Sequence, residues 1–280
     1  MAQLDTQLKT LAETVPRFWR DDRLPFIEAR YLAEGRSASY DRHAHETFSI
    51  GAVTAGASNF VMAGNQHHVH AGQLVIINPG QVHVCKPVDD LPWSFCMLYV
   101  DANWLAALQA ELGQEKKSEF CAYTSAVSDD VLLYEGLLDL YQTLIDPEAE
   151  LISKQGSVIQ YFSELHGLLQ SAPAELHLEN TRLKLAADFI HEHCTQDLSL
   201  DDISAFAGLS ASYLFRAFKK QYDMTPHAYL INRRVQYAQE KLRQGATIAD
   251  AALEAGFADQ AHFQRVFKRL LAATPGQYQA

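Results

Sequence analysis

The fold of the C-terminal part is decided by a stretch that occurs twice. Residues 210–220 read SASYLFRAFKK, and residues 259–269 read DQAHFQRVFKR. Each copy leads to a Thr-Pro pair, Thr225-Pro226 and Thr274-Pro275, at the same offset of 49 residues. A motif repeated at a fixed offset predicts two structural units that are built alike.

Each copy follows a short stretch with helical character, 200–207 in the first and 248–255 in the second. Gly208 and Gly256 come next and suit a left-handed turn residue. A helix, a glycine turn and a capped second helix make up the helix-turn-helix pattern. The sequence predicts this motif twice, at about 199–221 and about 247–270, with Ser210 and Asp259 as N-caps and a joining helix at about 226–242.

Charge is distributed unevenly along the 280 residues. The net charge of the chain is −11, but residues 181–280 carry +2 and residues 1–180 carry −13. Between residues 203 and 243, seven basic side chains stand against two acidic ones. This asymmetry indicates that the two parts of the chain have different partners.

The duplicated region resembles the AraC/XylS family of bacterial transcription regulators over about residues 182–279. The resemblance rests on Gly-Leu-Ser-x-Ser-Tyr-Leu from Gly208 and Gly-Phe-x-Asp-Gln-x-His-Phe from Gly256, each continued to its Thr-Pro. It implies two recognition helices that enter successive major grooves on one face of DNA. The chain departs from the family pattern at Asp223 and Ala272, where glycine is frequent, and at Gln279, where arginine is frequent.

The DNA-contacting side chains follow from the faces of these helices. If Leu214 and Phe218 point inward, Phe215 lies 100° from Leu214 and is expected to be exposed. Arginine suits guanine, glutamine suits adenine, and lysine suits phosphate. The predicted contacts are Ser212, Phe215, Arg216, Lys219, Gln260, Ala261, Gln264, Arg265 and Lys268. The alternatives are a merely solvated basic face, and a Phe215 that packs against the joining helix.

The N-terminal part alternates short apolar runs with glycine-containing turns from about residue 26 to residue 101. This pattern is typical of an antiparallel barrel or jelly roll. Residues 72–83, GQLVIINPGQVH, resemble the second cupin motif, and His43-Ala-His45 resembles a shortened first motif. The resemblance implies a cupin-like barrel over about residues 20–105 that senses a small molecule.

Three histidines, His43, His45 and His83, are candidate ligands of a divalent metal. A metal cupin usually adds a glutamate several residues after the first pair, but here Glu46 follows at once and the next acid is Asp89. We therefore expect no metal and no cofactor. The expected effector-binding residues are His43, His45, His83, Phe48 and Trp93, and the alternative for the histidines is a structural hydrogen-bonding role.

Two amphipathic helices are predicted within residues 127–171, where Leu, Ile and Phe recur at three- and four-residue spacings. Asp146-Pro147 separates them. We expect this hairpin to form a two-fold dimer interface, which a charge at Leu140 or Leu144 would disrupt, because an apolar stripe needs a partner. The alternative is that the stripe packs only on the barrel of its own chain.

Other classes are disfavoured by what the chain lacks. The four cysteines form no Cys-x-x-Cys pair, which predicts reduced thiols rather than a disulfide scaffold or zinc site. No apolar run approaches the roughly 20 residues of a membrane span. The polar first ten residues carry no signal peptide, so we expect a cytoplasmic protein.

Taken together, the sequence predicts a multi-domain α+β protein. It has an N-terminal antiparallel cupin-like β-barrel (jelly roll) at 1–105, a helical linker and dimerisation region at 106–175, and an all-α AraC-type DNA-binding domain at 176–280. The predicted function is a ligand-responsive, sequence-specific DNA-binding transcriptional regulator that is not an enzyme. Its expected partners are promoter DNA, a small-molecule effector, a second copy and, for an activator, RNA polymerase, with no membrane.

Two other functions compete with this one. The first is a metal-dependent cupin enzyme with an appended helical domain. The second is a DNA-binding protein whose barrel binds no effector and serves only for dimerisation.

Overall fold

The computed structural model describes residues 15–35, 40–89, 91–113, 119–169 and 181–279. The polar first ten residues lie outside these ranges. The described residues fall into two compact units, which we call the sheet unit (15–35 and 45–169) and the helical unit (40–44 and 181–279). Within the described ranges, every helix is too short or too polar to cross a lipid bilayer.

The strands of the sheet unit pair antiparallel in two sheets. The larger sheet has the order β1-β2-β8-β3-β6-β9, and the smaller one has the order β5-β4-β7. The strands are β1 (Arg17–Trp19), β2 (Ile27–Leu32), β3 (Phe48–Ala55), β4 (Ala57–Met62), β5 (Asn65–His70), β6 (Leu74–Ile77), β7 (His83–Pro87), β8 (Ser94–Val100) and β9 (Val127–Ser128).

The predicted cupin-like antiparallel architecture is confirmed, but among the described residues the strands form two separate sheets and no closed barrel. The chain passes from one sheet to the other between β3 and β4. A register shift between Val53 and Ala55 bends the end of β3. Gly56 follows with φ +69°, and a Cβ there would lie 2.3 Å from the carbonyl oxygen of Pro92, so only glycine fits.

Three helices cover one face of the larger sheet, α1 (Ala102–Glu111), α2 (Val131–Ile145) and α3 (Leu151–Leu168). Alternate strand residues, such as Ile50 and Leu98, meet Phe162 from α3 in this core. Because side chains alternate across a strand, the residues between them face the other side of the sheet.

The predicted helical hairpin is present as α2 and α3, but its apolar stripe is divided between two roles. Leu140 and Leu144 are buried in the core of the sheet unit, so a dimer interface on this hairpin uses other side chains and remains a prediction. The large apolar side chains that stay exposed on the two helices are Val131, Leu132 and Ile145 on α2 and Ile152, Ile159 and Leu168 on α3. The sequence periodicity marked the inward face of the hairpin, which packs on its own chain.

The helical unit consists of α4 (Thr181–Glu192), α5 (Leu200–Ala207), α6 (Ala211–Tyr222), α7 (Pro226–Arg243), α8 (Ile248–Glu254), α9 (Gln260–Leu271) and α10 (Pro275–Gln279). Residues 40–44 belong to the same unit. Ala44 and Asn232 of α7 exchange two hydrogen bonds, at 3.4 and 3.2 Å, and Gln236 donates to the Ala44 carbonyl at 2.7 Å.

Candidate DNA-binding surface and candidate effector site

The first helix-turn-helix motif is built from α5 and α6. Ser199 and Asp202 form a capping box that starts α5, and Gly208 ends it with φ +63°. Ser210 accepts a hydrogen bond from the Tyr213 amide at 3.3 Å and starts α6. These caps fix where the second helix begins and therefore which of its faces is exposed.

The second motif repeats this construction with α8 and α9. Thr247 caps α8, and Asp259 caps α9 by accepting from the His262 amide at 2.7 Å. In the turn, Gly256 has φ +79°, and a Cβ there would lie 2.7 Å from the carbonyl oxygen of Thr195. Both the backbone conformation and the close approach therefore require glycine. The two predicted helix-turn-helix motifs and their N-caps are confirmed.

The second helix of each motif has one buried and one exposed face. Leu214 and Phe218 of α6, and Phe263 and Phe267 of α9, have no exposed surface. All the residues predicted to contact DNA are exposed on the remaining faces: Ser212, Phe215, Arg216, Lys219, Gln260, Ala261, Gln264, Arg265 and Lys268. The structure therefore places them where an external partner can reach them.

Phe215 keeps 44% of its surface exposed, so it does not pack against α7 as a core residue. Tyr213 of the same helix is equally exposed, although it is not among the residues predicted to contact DNA. It lies 100° from the inward-facing Leu214 on the opposite side from Phe215, so the same geometric reasoning applies to it.

Both of these helices end at a non-glycine residue in the left-handed conformation, Asp223 with φ +53° and Ala272 with φ +47°. Segment 40–44 contacts the ends of both. At α9, Arg269 pairs with Asp41 at 2.9 Å through its side chain, and its carbonyl accepts from the Asp41 amide at 3.1 Å. Sequence patterns did not indicate this long-range contact.

In the sheet unit, polar side chains gather on the face of the larger sheet that points away from α1–α3. One row across the strands holds Glu28, Tyr99 and Ser49, and the neighbouring row holds Arg30, Met97 and Gly51. We call this set the inner polar face. Glu28 accepts from the Arg20 Nε at 2.6 Å.

Two predicted effector-site histidines lie at the edge of this face. The ring of His45 is 5.0 Å from that of His83 and 5.2 Å from that of Tyr99. Burial lowers the pKa of His83 to about 4, so its imidazole is neutral at physiological pH. His43 belongs to segment 40–44 of the helical unit, where its Nδ1 lies 2.8 Å from the Asp41 carbonyl.

Phe48 and Trp93, the other two predicted effector contacts, both pack against side chains of the sheet unit. Phe48 points to the opposite face of the sheet from His45 and His83 and packs in the core with α1–α3, so the structure does not bring it together with the predicted effector histidines. The buried Trp93 donates from Nε1 to the Gly35 carbonyl at 2.9 Å and packs 4.8 Å from the Phe95 ring. An aromatic residue in a strand gives no sign of its face until the register is known.

The described cysteines are free thiols, as the sequence predicts. Burial raises the pKa of Cys85 and of Cys96 to about 12. Both thiols are therefore protonated at physiological pH and are poor nucleophiles.

Comparison with known proteins identifies two matching families. Residues 26–186 match the AraC-like ligand binding domain, and residues 203–280 match a helix-turn-helix domain. Together the two matched ranges include most residues of both units.

Relatives match along most of the chain. The HTH-type transcriptional regulator YbfI of Bacillus subtilis is 27% identical over 84% of this chain and 85% of its own length. The transcriptional activator RhaS of Escherichia coli is 27% identical over 89% of this chain and 91% of its own. Among solved structures, ToxT of Vibrio cholerae aligns with a TM-score of 0.57 at 12% identity, covering 94% of this chain and 96% of that one, which shows a shared fold.

Proposed function

Because this chain belongs to the AraC family of transcriptional regulators, with a ligand-binding domain and a helix-turn-helix domain, we propose that it reads promoter DNA with α6 and α9 and that a small molecule bound in the sheet unit controls this reading. The observation that carries the proposal is the division of these two helices into a buried apolar face and an exposed face that carries the arginine, lysine and glutamine side chains.

The exposed side chains suit two kinds of contact. Arg216 and Arg265 offer planar donor pairs that match the major-groove edge of guanine. Lys219 and Lys268 are one turn further along each helix, at positions suited to phosphate. The two pairs occupy equivalent positions in the repeat, so we assign them equivalent roles in two successive major grooves.

We further propose that the protein works as a homodimer. Ile152 and Ile159 lie two turns apart on the outer face of α3, and Ile152 is 73% exposed. A residue pair of this kind repeated on a second copy makes an isologous apolar contact. The proposed site of action is the cytoplasm, and we assign no catalytic step to the chain.

The relatives named as activators support a role in activation, for which RNA polymerase is the proposed partner. In this role the effector changes the rate of transcription from the target promoter, and not only the fraction of promoter DNA that the protein binds.

Selection of duplexes from a randomised DNA pool by the full-length protein tests the central proposal. We expect one enriched sequence. Binding of that sequence falls with salt, and the slope of log K against log salt decreases by about 1 in Lys219→Ala and again in Lys268→Ala. Lys184→Ala, on α4, is the control and leaves the slope unchanged. Enrichment of no sequence, or equal effects of all three variants, would contradict the proposal.

A further inference from the structure

The inner polar face of the sheet unit contains a buried charge. Arg30 lies at the centre of β2 and is only 1% exposed. Its guanidinium carbon lies 5.2 Å from the Phe18 ring centroid and 5.7 Å from that of Phe95. Placing a guanidinium inside a domain carries a large desolvation cost. An apolar residue of similar size would stabilise the fold better, so stability alone does not explain a buried arginine here.

The charges around Arg30 favour a negative ligand. The Arg20 Nε lies 2.6 Å from Oε2 of Glu28, which belongs to the row next to that of Arg30. The cluster of Arg20, Glu28 and Arg30 carries a net positive charge when ionised. A planar guanidinium with several donors matches the geometry of a carboxylate better than that of any neutral group.

A second observation on the same face points to a ligand with hydroxyl groups. Ser49 has no exposed surface, and among the described residues its Oγ has no hydrogen-bond partner. Ser49 is the direct cross-strand neighbour of Tyr99, which lies in the row next to that of Arg30. A buried hydroxyl without a partner lowers stability, and a ligand hydroxyl would satisfy it.

A ligand on this face needs the space that one flexible side chain now occupies. Met97 lies over Gly51, so that a Cβ on Gly51 would be 2.7 Å from the Met97 Cε. Methionine is unbranched and changes rotamer easily. A change of the Met97 rotamer would free the surface above Gly51, between Arg30 on β2 and Ser49 on β3. These strands are two apart, about 10 Å, which a molecule of a few carbons spans together with the arginine side chain.

We propose that the effector is a small hydroxycarboxylate, with its carboxylate bound by Arg30 and its hydroxyl bound by Ser49 and Tyr99. This inference rests on the proposed function, because it gives the chemistry of the ligand that the sheet unit senses. Arg30 is the residue that determines specificity for an anion, and Ser49 selects an oxygen at a defined distance from it.

Thermal unfolding of the full-length protein with matched sets of compounds tests the proposal. The first set contains glycolate, lactate, glycerate, tartrate, gluconate and glucuronate. The second set contains their neutral analogues, including glycerol and glucose, and the third contains phosphate esters such as glycerol 3-phosphate. We expect at least one hydroxycarboxylate to raise Tm by several degrees, and its neutral analogue and phosphate ester to leave Tm unchanged.

Variants identify the site. Arg30→Met should keep the Tm of the free protein within a few degrees or raise it, and should weaken binding of the hydroxycarboxylate at least 100-fold. Ser49→Ala should weaken it about 10-fold and raise the Tm of the free protein. Gly51→Ala reduces the room beneath Met97 without removing a donor, so it should also weaken binding. Arg23→Met, at an exposed arginine, is the matched control and should bind like the wild type.

Two outcomes would contradict the proposed anionic ligand without contradicting the proposed function as a transcriptional regulator. A neutral compound or a phosphate ester that stabilises the wild type and Arg30→Met equally shows that the protein senses another chemistry. Failure of every hydroxycarboxylate in the panel to raise Tm also overturns the inference. The proposed function is contradicted by a different result, the absence of an enriched DNA sequence in the selection experiment. That experiment does not depend on Arg30.

Discussion

Arg42 and Asp223 form an ion pair in which Nη1 lies 2.6 Å from Oδ1, and the same nitrogen donates to the Asp223 carbonyl at 3.3 Å. Asp223 is the residue that ends α6 in the left-handed conformation, where glycine is frequent in the AraC family. Aspartate tolerates this conformation better than most residues. The end of the first recognition helix is therefore held by a side chain from segment 40–44.

The equivalent residue at the end of α9 is Ala272, whose side chain cannot form such a pair. We expect Ala272→Gly to raise the free energy of unfolding by about 1 kcal/mol, because glycine adopts φ +47° without steric cost. Asp223→Gly should raise it less or lower it, since the ion pair with Arg42 is lost. Urea unfolding of both variants measures the difference. A less stable Ala272→Gly protein would show that the left-handed conformation is not strained.

Phe215 and Phe218 lie on the same helix but have different surroundings. Phe215→Ala should lower affinity for the selected DNA by about 1–3 kcal/mol, through one base position, and leave stability nearly unchanged. Phe218→Ala should cost about 3–5 kcal/mol of folding stability, because this side chain is fully buried. Thermal unfolding and DNA titration of both variants separate the two roles. If Phe215→Ala unfolds at a much lower temperature than the wild type, Phe215 contributes to core packing and not to base readout.

The outer face of α3 gives a prediction about the dimer. Ile152→Glu should convert the dimer to a monomer in analytical ultracentrifugation without changing Tm by more than a few degrees, because its side chain is exposed. Leu253→Glu is the matched control, since Leu253 on α8 is equally exposed, and it should remain dimeric. A double variant with glutamate at Ile152 and Ile159 that stays dimeric would exclude this face.

The buried His83 predicts how stability depends on pH. Its pKa is about 4 in the folded protein and about 6.5 when exposed, so the unfolded chain binds a proton first as pH falls. The contribution of the neutral His83 to the free energy of unfolding is fully present above pH 6.5. It decreases by about 1 kcal/mol per pH unit as the pH falls to 4. His83→Gln should remove this slope, whereas His68→Gln, at an exposed histidine, should keep it. Equal slopes in both variants would contradict the buried neutral imidazole.

The helical unit could be predicted closely from sequence, and the reason is local. Ser210, Gly208 and the spacing of Leu214 and Phe218 act within one or two turns of the chain, so caps, turn and inward face follow from nearest neighbours. Phe215 is exposed as predicted, and Tyr213, on the other side of Leu214, is exposed for the same geometric reason.

The sheet unit was less predictable because its faces are set by strand register. Phe48 and Ser49 are adjacent, yet one enters the helix-covered core and the other the inner polar face. Leu144 and Ile152 both fit an amphipathic pattern, but only contact with the sheet decides which one is buried. The place of segment 40–44 in the helical unit depends on pairing with residues more than 180 positions away, which periodicity does not record.

The most direct test of the central claim is a base-by-base binding profile of the selected DNA site with Arg216→Ala and Arg265→Ala. If α6 and α9 read successive major grooves, each variant relaxes specificity at one or two base pairs, and the two affected positions lie about 10 base pairs apart. A uniform loss of affinity at all positions in both variants, with the sequence preference unchanged, would contradict base readout by these helices.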